Sequence, residues 1–272
     1  MKTAVFIRGH ARTWRLAKEN TINVFRDLYG DVDWYVAFPD TGTTNLDELK
    51  RDFDGVGHAS IHLLDMSSYP LIQDMDRYKR WATFHTAYWR LAWLDYHLGF
   101  AKREKERLSH VIYDNVVFVR PDAWYYVQPE HRPRVVAQLK TMTVAEIGST
   151  GDVEDDWVMG DLAYRAGAAA ADLITLRYID PHYTDGMDGQ LVHGNSHSLL
   201  AYLVPRRFMG YGYEGAGMQY CIMRPDHVDQ LPFNSFKVDP NYRDSRTWPT
   251  RSHAEKLEYC ARLGISPLDY QL

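Results

Sequence analysis

Cysteine and long apolar runs are both scarce in this sequence. Its 272 residues include two cysteines, Cys221 and Cys260, which are too few for a disulfide framework. No apolar stretch is long enough to span a bilayer, and the N-terminus enters a strand pattern at once instead of carrying an apolar leader with a cleavage site. We therefore expect a cytoplasmic protein in a reducing compartment.

Positive charge and several catalytic signatures are lacking as well. The formal net charge is -5, so no global positive field favours nucleic acid. The His-Glu-x-x-His of zincins and the Gly-x-Ser-x-Gly nucleophile elbow are absent, and both cysteines lie in apolar settings that are untypical of a catalytic thiol. These absences disfavour zincin, α/β-hydrolase and cysteine-nucleophile chemistry.

Aromatic residues, by contrast, are abundant. They make up 14% of the chain, with 19 Tyr and 8 Trp. Because flat rings stack on the apolar faces of sugars and bases, this excess is typical of a sugar- or base-binding cleft. A large aromatic core is the alternative interpretation.

The order of the elements predicts a parallel sheet with crossover helices. Apolar runs predict strands at residues 3–7, 32–38, 60–64, 111–119 and 219–223. Helices are predicted over residues 13–29, 78–107, 130–140 and 163–176, and in the first of these Leu16, Asn20, Val24 and Leu28 share one stripe. The strand–helix–strand opening favours the α/β class, as one compact domain over residues 1–272.

The most informative stretch is the apolar run of residues 110–119, which ends in Arg120-Pro121-Asp122. A run of this kind is typical of a strand buried on both faces, and ligands bind outside the carboxyl ends of such strands. An arginine holds phosphate in a fork and a carboxylate holds a hard divalent metal, so the pair predicts a site for a metal-bound diphosphate. A strand-end salt bridge is the alternative, and the similar Arg224-Pro225-Asp226 follows a shorter strand.

The loop after the first strand, Arg8-Gly9-His10-Ala11-Arg12, is a second candidate. Gly9 permits close backbone approach, and the start of the following helix favours anions. The loop lacks the Walker and Rossmann glycine fingerprints, so it predicts a different nucleotide or phosphate contact. The alternative is a surface turn with two solvated arginines.

Three further segments carry candidate chemistry. The adjacent Asp155 and Asp156 raise one another's pKa, which suits a general base, and Trp157 offers a stacking face for a sugar; an acidic helix start is the alternative. Residues 185–197, with Asp188 and His197, form a glycine-rich segment that we expect to be a mobile acceptor loop; structural histidines are the alternative. Lys79, at the start of the long helix, either reaches a phosphate or belongs to a basic helix start.

Three motifs together resemble the small glycosyltransferases of bacteria, phages and large viruses that have the nucleotide-sugar-binding GT-A fold. They are Gly9-His10-Ala11-Arg12, the run from Tyr113-Asp114 to Arg120-Pro121-Asp122, and Asp156-Trp157-Val158-Met159-Gly160, and the resemblance covers residues 1–205. It implies a Rossmann-like, mostly parallel sheet flanked by helices, with a nucleotide-binding half at 1–125 and an acceptor-side half with a C-terminal helical segment at 126–272.

The resemblance also implies a reaction. A sugar would move from a nucleotide-diphosphate donor to the hydroxyl of a glycan or other acceptor, with Mn²⁺ or Mg²⁺ held by Asp122, although Arg120 stands where the family's motif begins with aspartate. The general base would be Asp156, Asp188 or His197, in that order of preference. The donor-binding residues would be Arg8, Gly9, His10, Arg12, Lys79, Arg120, Asp122, Asp155 and Trp157.

Other functions remain open at this point. A sugar-phosphate nucleotidyltransferase is disfavoured because the first loop has a single glycine. An inactive glycan-binding module is suggested by the missing aspartate and the aromatic excess. If the source is viral, we expect the host cytoplasm as the location, and a modified DNA base as acceptor is disfavoured by the net charge of -5.

Overall fold

The computed structural model describes most of the first half of the chain and shorter stretches of the second. The described residues are 1–66 except Arg12 and Thr43, 75–127, 129–130, 132–141, 147–149, 163–176, 211–212 and 218–222.

These residues form helices and strands in alternation along the first part of the chain. The helices are α1 (Trp14–Tyr29), α2 (Leu46–Asp52), α3 (Met75–Ser109), α4 (Arg132–Thr141) and α5 (Ala168–Leu176). The strands are β1 (Thr3–Arg8), β2 (Val32–Pro39), β3 (Ala59–Leu64), β4 (Asn115–Val119), β5 (Ala123–Val127), β6 (Ile147–Ser149), β7 (Ala163–Gly167), β8 (Tyr211–Gly212) and β9 (Met218–Ile222). Within the described part of the chain, no helix combines the length and apolarity needed to cross a bilayer.

One large sheet organises these elements, with the strand order β3-β2-β1-β4-β7-β6-β8. β1 pairs in parallel with β2 and β4, β2 pairs in parallel with β3, and β6 with β8. β7 runs antiparallel to its neighbours β4 and β6, and a separate antiparallel pair joins β5 to β9. The predicted α/β class, with a mostly parallel central sheet flanked by helices, is confirmed.

Two predicted elements differ from the structure. The helix predicted over residues 163–176 is wrong for its first turn and a half, because Ala163–Gly167 forms β7 between β4 and β6. Pairing with two neighbouring strands gives hydrogen-bond partners to the backbone N–H and C=O groups on both edges of β7. This gain outweighs the helix propensity of alanine. The predicted strand 111–119 begins only at Asn115, because its partner strand β1 begins at Thr3, which lies opposite Asn115.

The central strands are buried along their whole length because helices cover both faces of the sheet. Successive residues of a strand point to opposite faces. On one face, Val5 and Ile7 of β1 pack in a cluster with Ile22 and Phe25 of α1. On the other face, α3 packs against β1 and β2. The core is therefore three-layered, and its middle layer ends at a common carboxyl edge.

Helices α3 and α5 approach each other closely at Gly99. A Cβ atom at this position would lie 2.3–2.8 Å from the side-chain atoms of Thr175, so only glycine fits. One turn further along, the buried Lys102 donates to Asp172 of α5 and to Glu106, each at 3.1 Å. A small residue and a buried ion pair thus fix the position of α5 against α3.

Candidate functional site

The candidate site lies where the chain reverses its course across the sheet. From β1 the chain proceeds to β2 and β3 on one side, and it then returns through α3 to β4 on the other side of β1. In open α/β sheets, ligands bind in the crevice that forms outside the carboxyl ends of the strands at such a switch point. The carboxyl ends of β1 and β4 are therefore the place where ligand-binding side chains are expected.

The two loops singled out in the sequence meet at this edge. Ile7 of β1 lies opposite Val119 of β4 in the parallel register, so both strands end at the same level. Gly9 has a φ of +128°, and a Cβ there would lie 3.3 Å from Cδ of Pro121. A side chain at position 9 would therefore be both strained and crowded. The glycine lets the first loop lie directly against the turn after β4.

Arg120 and Asp122 form a two-pronged ion pair at the same edge. The Nε and Nη2 atoms of Arg120 each donate to a different oxygen of Asp122, both at 2.7 Å. The side chain of Asp122 is 2% exposed, whereas that of Arg120 is 23% exposed. The carboxylate is therefore buried, whereas the guanidinium is partly accessible to solvent. The salt bridge named as an alternative is present, and it leaves a ligand role for Arg120 open.

A buried tyrosine holds the backbone of this turn. The amide of Arg120 donates to the hydroxyl of Tyr125 at 2.9 Å, and that hydroxyl donates back to the Arg120 carbonyl at 3.1 Å. Burial raises the pKa of Tyr125, so the hydroxyl stays protonated and keeps both roles. The turn that presents Arg120 is therefore rigidly tied to β5.

Helix α1 is tied to the same turn through Asn20. The Nδ2 atom of Asn20 donates to the backbone carbonyl of Tyr125 at 2.8 Å, and its Oδ1 atom accepts from the backbone amide of Tyr125 at 2.7 Å. This side chain thus makes the two hydrogen bonds that a neighbouring strand would make. Sequence reasoning missed this role, although a polar Asn20 within the apolar stripe of α1 was a visible signal. The helix that follows the first loop thus also positions the second.

Arg8 lies inside the protein rather than in the crevice. Its side chain is 0% exposed, its Nε donates to Oδ1 of Asp95 in α3 at 3.0 Å, and its Cζ lies 5.4 Å from the ring centroid of Phe118. The alternative of a solvated arginine is therefore wrong for Arg8. The nucleotide contact predicted for Arg8 stays a prediction, while the structure shows that Arg8 attaches α3 to the end of β1.

Helix α1 begins five residues after Gly9 and has no acidic residue in its first turn. The N-cap residue Thr13 makes no side-chain capping bond, and its carbonyl accepts from the amides of Leu16 and Ala17 at 2.9 and 3.0 Å. His10 is half-buried in the loop between β1 and this helix. The amino end of this helix carries the positive end of its dipole, which favours anions.

The described residues do not form a donor set for a divalent metal. Among them, no group of three or more His, Cys, Asp or Glu side chains lies close enough together to hold an ion. Mg²⁺ and Mn²⁺ prefer several oxygen ligands, and both oxygens of Asp122 already accept hydrogen bonds from Arg120. A cation bound there would also lie next to the guanidinium charge. The expected Mn²⁺ or Mg²⁺ at Asp122 does not fit this arrangement and stays a prediction.

The other predicted site residues are not brought to this edge by any described contact. The backbone of Lys79 belongs to the second turn of α3. The remaining predicted residues lie outside the described part of the chain: Arg12, Asp155, Asp156, Trp157, Asp188 and His197.

Tyr113 and Asp114 belong to the motif that carries the resemblance. They lie at the amino ends of the parallel strands, opposite the candidate site. The hydroxyl of Tyr113 donates to the carboxylate of Asp33 and pairs with the hydroxyl of Tyr35 at 2.8 Å. Burial raises the pKa of both tyrosines. Asp114 accepts from the backbone amide of Lys2 at 2.7 Å. These residues therefore hold the amino ends of β1, β2 and β4 together and lie away from the switch point.

Comparisons with known proteins find structural likeness only. No protein family model matches the sequence, and no curated protein matches it. The apo form of the glycosyltransferase GlyE of Streptococcus pneumoniae TIGR4 is similar at 10% identity and a TM-score of 0.42, over 77% of this chain and 44% of that one. A glycosyltransferase involved in the glycosylation of the major capsid of PBCV-1 is similar at 9% identity and a TM-score of 0.40, over 79% of this chain and 81% of that one.

A sugar-nucleotide enzyme of another reaction class is equally similar. The nucleoside-diphosphate-sugar pyrophosphorylase of Vibrio cholerae RC9 matches at 13% identity and a TM-score of 0.45, over 86% of this chain and 100% of that one. For GlyE, by contrast, this chain covers less than half of the length of that protein. At TM-scores below 0.5 these likenesses carry no argument about activity.

Proposed function

We propose that this protein is a glycosyltransferase that moves a sugar from a nucleotide-diphosphate donor to a hydroxyl acceptor, and that the diphosphate binds at the carboxyl edge of β1 and β4. The observation that carries the proposal is the contact of the Gly9 loop with the Arg120 turn at the switch point. A bare backbone at Gly9 and a partly exposed guanidinium at Arg120 are both suited to phosphate oxygens.

The chemistry of sugar transfer matches this charge distribution. The bond between the sugar and the diphosphate breaks through an oxocarbenium-like transition state, in which negative charge grows on the leaving diphosphate. Fixed positive groups at that position lower the barrier because they need no reorganisation when the charge develops. Arg120 is such a fixed group, because Asp122 pairs with its guanidinium and the hydroxyl of Tyr125 binds its backbone.

The acceptor side of the proposal rests on residues outside the described part of the chain. Asp156, Asp188 or His197 would take the proton from the acceptor hydroxyl, since such a transfer needs a base close to the attacking oxygen. Asp155 and Trp157 would contact the sugar, and Arg12, His10 and Lys79 would contact the nucleotide. No step of the proposed reaction depends on the expected Mn²⁺ or Mg²⁺.

Thermal unfolding with nucleotide ligands tests the donor site. A ligand that binds only the native state raises the melting temperature by mass action. We expect a nucleoside diphosphate, or its sugar conjugate, to raise the melting temperature of the wild type but not of Arg120→Ala. The matched control is Arg132→Ala, because Arg132 is also surface-exposed and ion-paired, with Asp27 at the far end of α1.

The reaction is then tested with the donor that binds. Release of the nucleoside diphosphate and mass gain of a hydroxyl acceptor would support sugar transfer. Release of pyrophosphate from a nucleoside triphosphate and a sugar phosphate would support a nucleotidyltransferase instead. Glycan binding without turnover of any donor would favour the binding-module alternative.

A further inference from the structure

A groove lies at the amino ends of β2 and β3, away from the candidate site at their carboxyl ends. Its walls come from the last two turns of α1, the link from α1 to β2 and the loop before β3. We propose that this amino-end groove is a second sugar-binding site, which takes a neutral oligosaccharide as an inner part of the acceptor glycan. Sugar binding in the groove is independent of the donor site, whereas its role in acceptor binding rests on the proposed function.

Local contacts hold both walls of the groove in place. Helix α1 ends at Gly30, whose amide donates to the carbonyl of Arg26 at 2.8 Å. The loop before β3 is attached to β2, because Nε1 of Trp34 donates to the carbonyl of Val56 at 3.0 Å. Between these walls lies a volume of about 700 Å³. Sites for small molecules commonly have this size.

The groove has an apolar floor and one wall without side chains. Val24 and Val56 are half-buried and pack against the hydrophobic core. Gly30 and Gly55 also line the groove, and a Cβ atom added to either would meet no other atom within 4 Å. The ring of a sugar has an apolar face of C–H groups and a polar edge of hydroxyl groups. A floor of two valines with polar groups beside it is suited to both.

Asn23 and Arg26 supply polar groups on the helical wall. Both are exposed, and neither side chain has a hydrogen bond or ion pair with the residues that the structure describes. Residues three positions apart on a helix lie on the same side of it. An amide offers donors and an acceptor, and a guanidinium offers five donors. The pair can therefore bind the hydroxyl and ring oxygens of a sugar lying on the floor.

The charges around the groove are of both signs, which favours an uncharged ligand. Asp27 and Asp31 line it together with Arg26. Asp27 pairs with Arg132 at 2.5 Å, and Asp31 lies 3.6 Å from Nζ of Lys2. A phosphate would approach two carboxylates, and a cation would approach three cationic side chains. A neutral molecule rich in hydroxyl groups meets neither repulsion and finds both donors and acceptors.

The distance to the donor site decides which part of a glycan the groove would hold. Helix α1 has 16 residues, so its two ends lie ~24 Å apart at ~1.5 Å per residue. The donor edge is near the amino end of α1, and the groove is near its carboxyl end. A sugar unit in the groove is too far from the donor to react. The groove is therefore suited to an inner unit of a long acceptor.

Ligand-observed NMR tests the groove without the transfer reaction. Saturation-transfer spectra are recorded with linear pentasaccharides of glucose, mannose, galactose and N-acetylglucosamine. We expect at least one of them to bind the wild type. Asn23→Ala and Arg26→Ala should each weaken that binding ~5-fold or more, the factor expected for the loss of one hydrogen bond. The matched control is Arg107→Ala, because Arg107 is also an exposed arginine in the last turn of a helix.

Two further measurements separate the groove from the donor site. Arg120→Ala, which alters the proposed donor site, should bind the pentasaccharide as the wild type does. In the transfer reaction, Arg26→Ala should raise the KM of a long acceptor and leave kcat and the KM of a monosaccharide acceptor unchanged. Circular dichroism spectra confirm that each variant is folded before its affinity is compared.

Three results would overturn the inference. Unchanged pentasaccharide binding in the double variant Asn23→Ala/Arg26→Ala would place the sugar elsewhere. Binding of inorganic phosphate that is lost in Arg26→Ala would assign the groove to anions. Binding of none of the four pentasaccharides would remove the sugar site, and the thermal test with nucleotides would still decide the proposed function. Conversely, pentasaccharide binding that depends on Arg26 in a protein that binds no nucleotide would support the groove and overturn the proposed function.

Discussion

The buried pair of Arg8 and Asp95 offers the sharpest test of how the site is held together. Both side chains are 0% exposed, and Nε of Arg8 lies 3.0 Å from Oδ1 of Asp95. Opposite charges about 4 Å apart attract each other by ~4 kcal/mol at an effective dielectric constant near 20. Removal of one partner forfeits this attraction and leaves the other charge buried. We therefore expect Asp95→Leu to lower the free energy of unfolding by about 3–5 kcal/mol.

The double variant Arg8→Met/Asp95→Leu is the matched control. It removes both charges and fills the space with apolar groups, so we expect its free energy of unfolding to lie within about 1–2 kcal/mol of the wild type. The single variants and the double variant form a thermodynamic cycle, and the coupling energy should reach at least about 2 kcal/mol. Urea denaturation followed by circular dichroism and tryptophan fluorescence gives all four values.

The cycle also separates the two roles considered for Arg8. The buried geometry predicts that the folded double variant still binds a nucleoside diphosphate, whereas a direct nucleotide contact predicts that binding is lost. Strictly additive losses in the two single variants, or a loss below about 1 kcal/mol in Asp95→Leu, would refute the reasoning about a buried charge.

Other features lead to further predictions. Gly99→Ala places a Cβ 2.3–2.8 Å from atoms of Thr175 and should lower the free energy of unfolding by about 1–3 kcal/mol in urea denaturation. Gly9 has a φ of +128°, which an alanine adopts only with strain. Gly9→Ala should therefore lower the free energy of unfolding by about 1–3 kcal/mol and weaken diphosphate binding in calorimetry. Burial lowers the pKa of His62 and of His97 from 6.5, so each binds fewer protons when folded than when unfolded. The free energy of unfolding should therefore be fully retained above pH 6.5 and fall as the pH is lowered below it, with a shallower fall in His97→Phe.

Each of these predictions has an outcome that contradicts it. A Gly99→Ala variant as stable as the wild type would mean that α3 and α5 separate without cost. Unchanged diphosphate affinity in Gly9→Ala would place the ligand away from the first loop. A free energy of unfolding that stays constant from pH 7.5 to pH 5.5, two values that bracket the ordinary histidine pKa of about 6.5, would show that the two histidines are solvated in the folded protein.

The sequence predicted the location of the candidate site better than its internal contacts. Apolar runs at β1, β2 and β4 are long enough to be recognised as strands, and parallel pairing brings their carboxyl ends to one edge by geometry alone. The meeting of Gly9 with Pro121 follows from that alignment. These conclusions need only the order of the elements, which the hydrophobic pattern of the chain carries.

The partners of individual side chains could not be predicted from the sequence, for physical reasons. The pairing of Arg8 with Asp95 depends on how α3 is rotated against the sheet, and α3 carries several charged residues at similar positions along its length. The strand at Ala163–Gly167 forms because two neighbouring strands supply partners, which a local propensity does not reveal. Tyr113 precedes β4 and therefore lies at the amino end of that strand, where its hydroxyl donates to Asp33.

The central position of β1 has a consequence for the synthesis of the chain. β1 is made first, but one of its edges is covered only by β4, and the bond between Lys2 and Asp114 joins residues 112 positions apart. At ~5–20 residues per second, a ribosome needs ~6–20 s to bridge that interval. During this time the nascent chain exposes the unpaired edge of a mostly apolar strand, which is a template for pairing with other chains. The event that covers this edge also joins the two loops of the candidate site, so fragments that end before β4 should lack that site and be prone to aggregate.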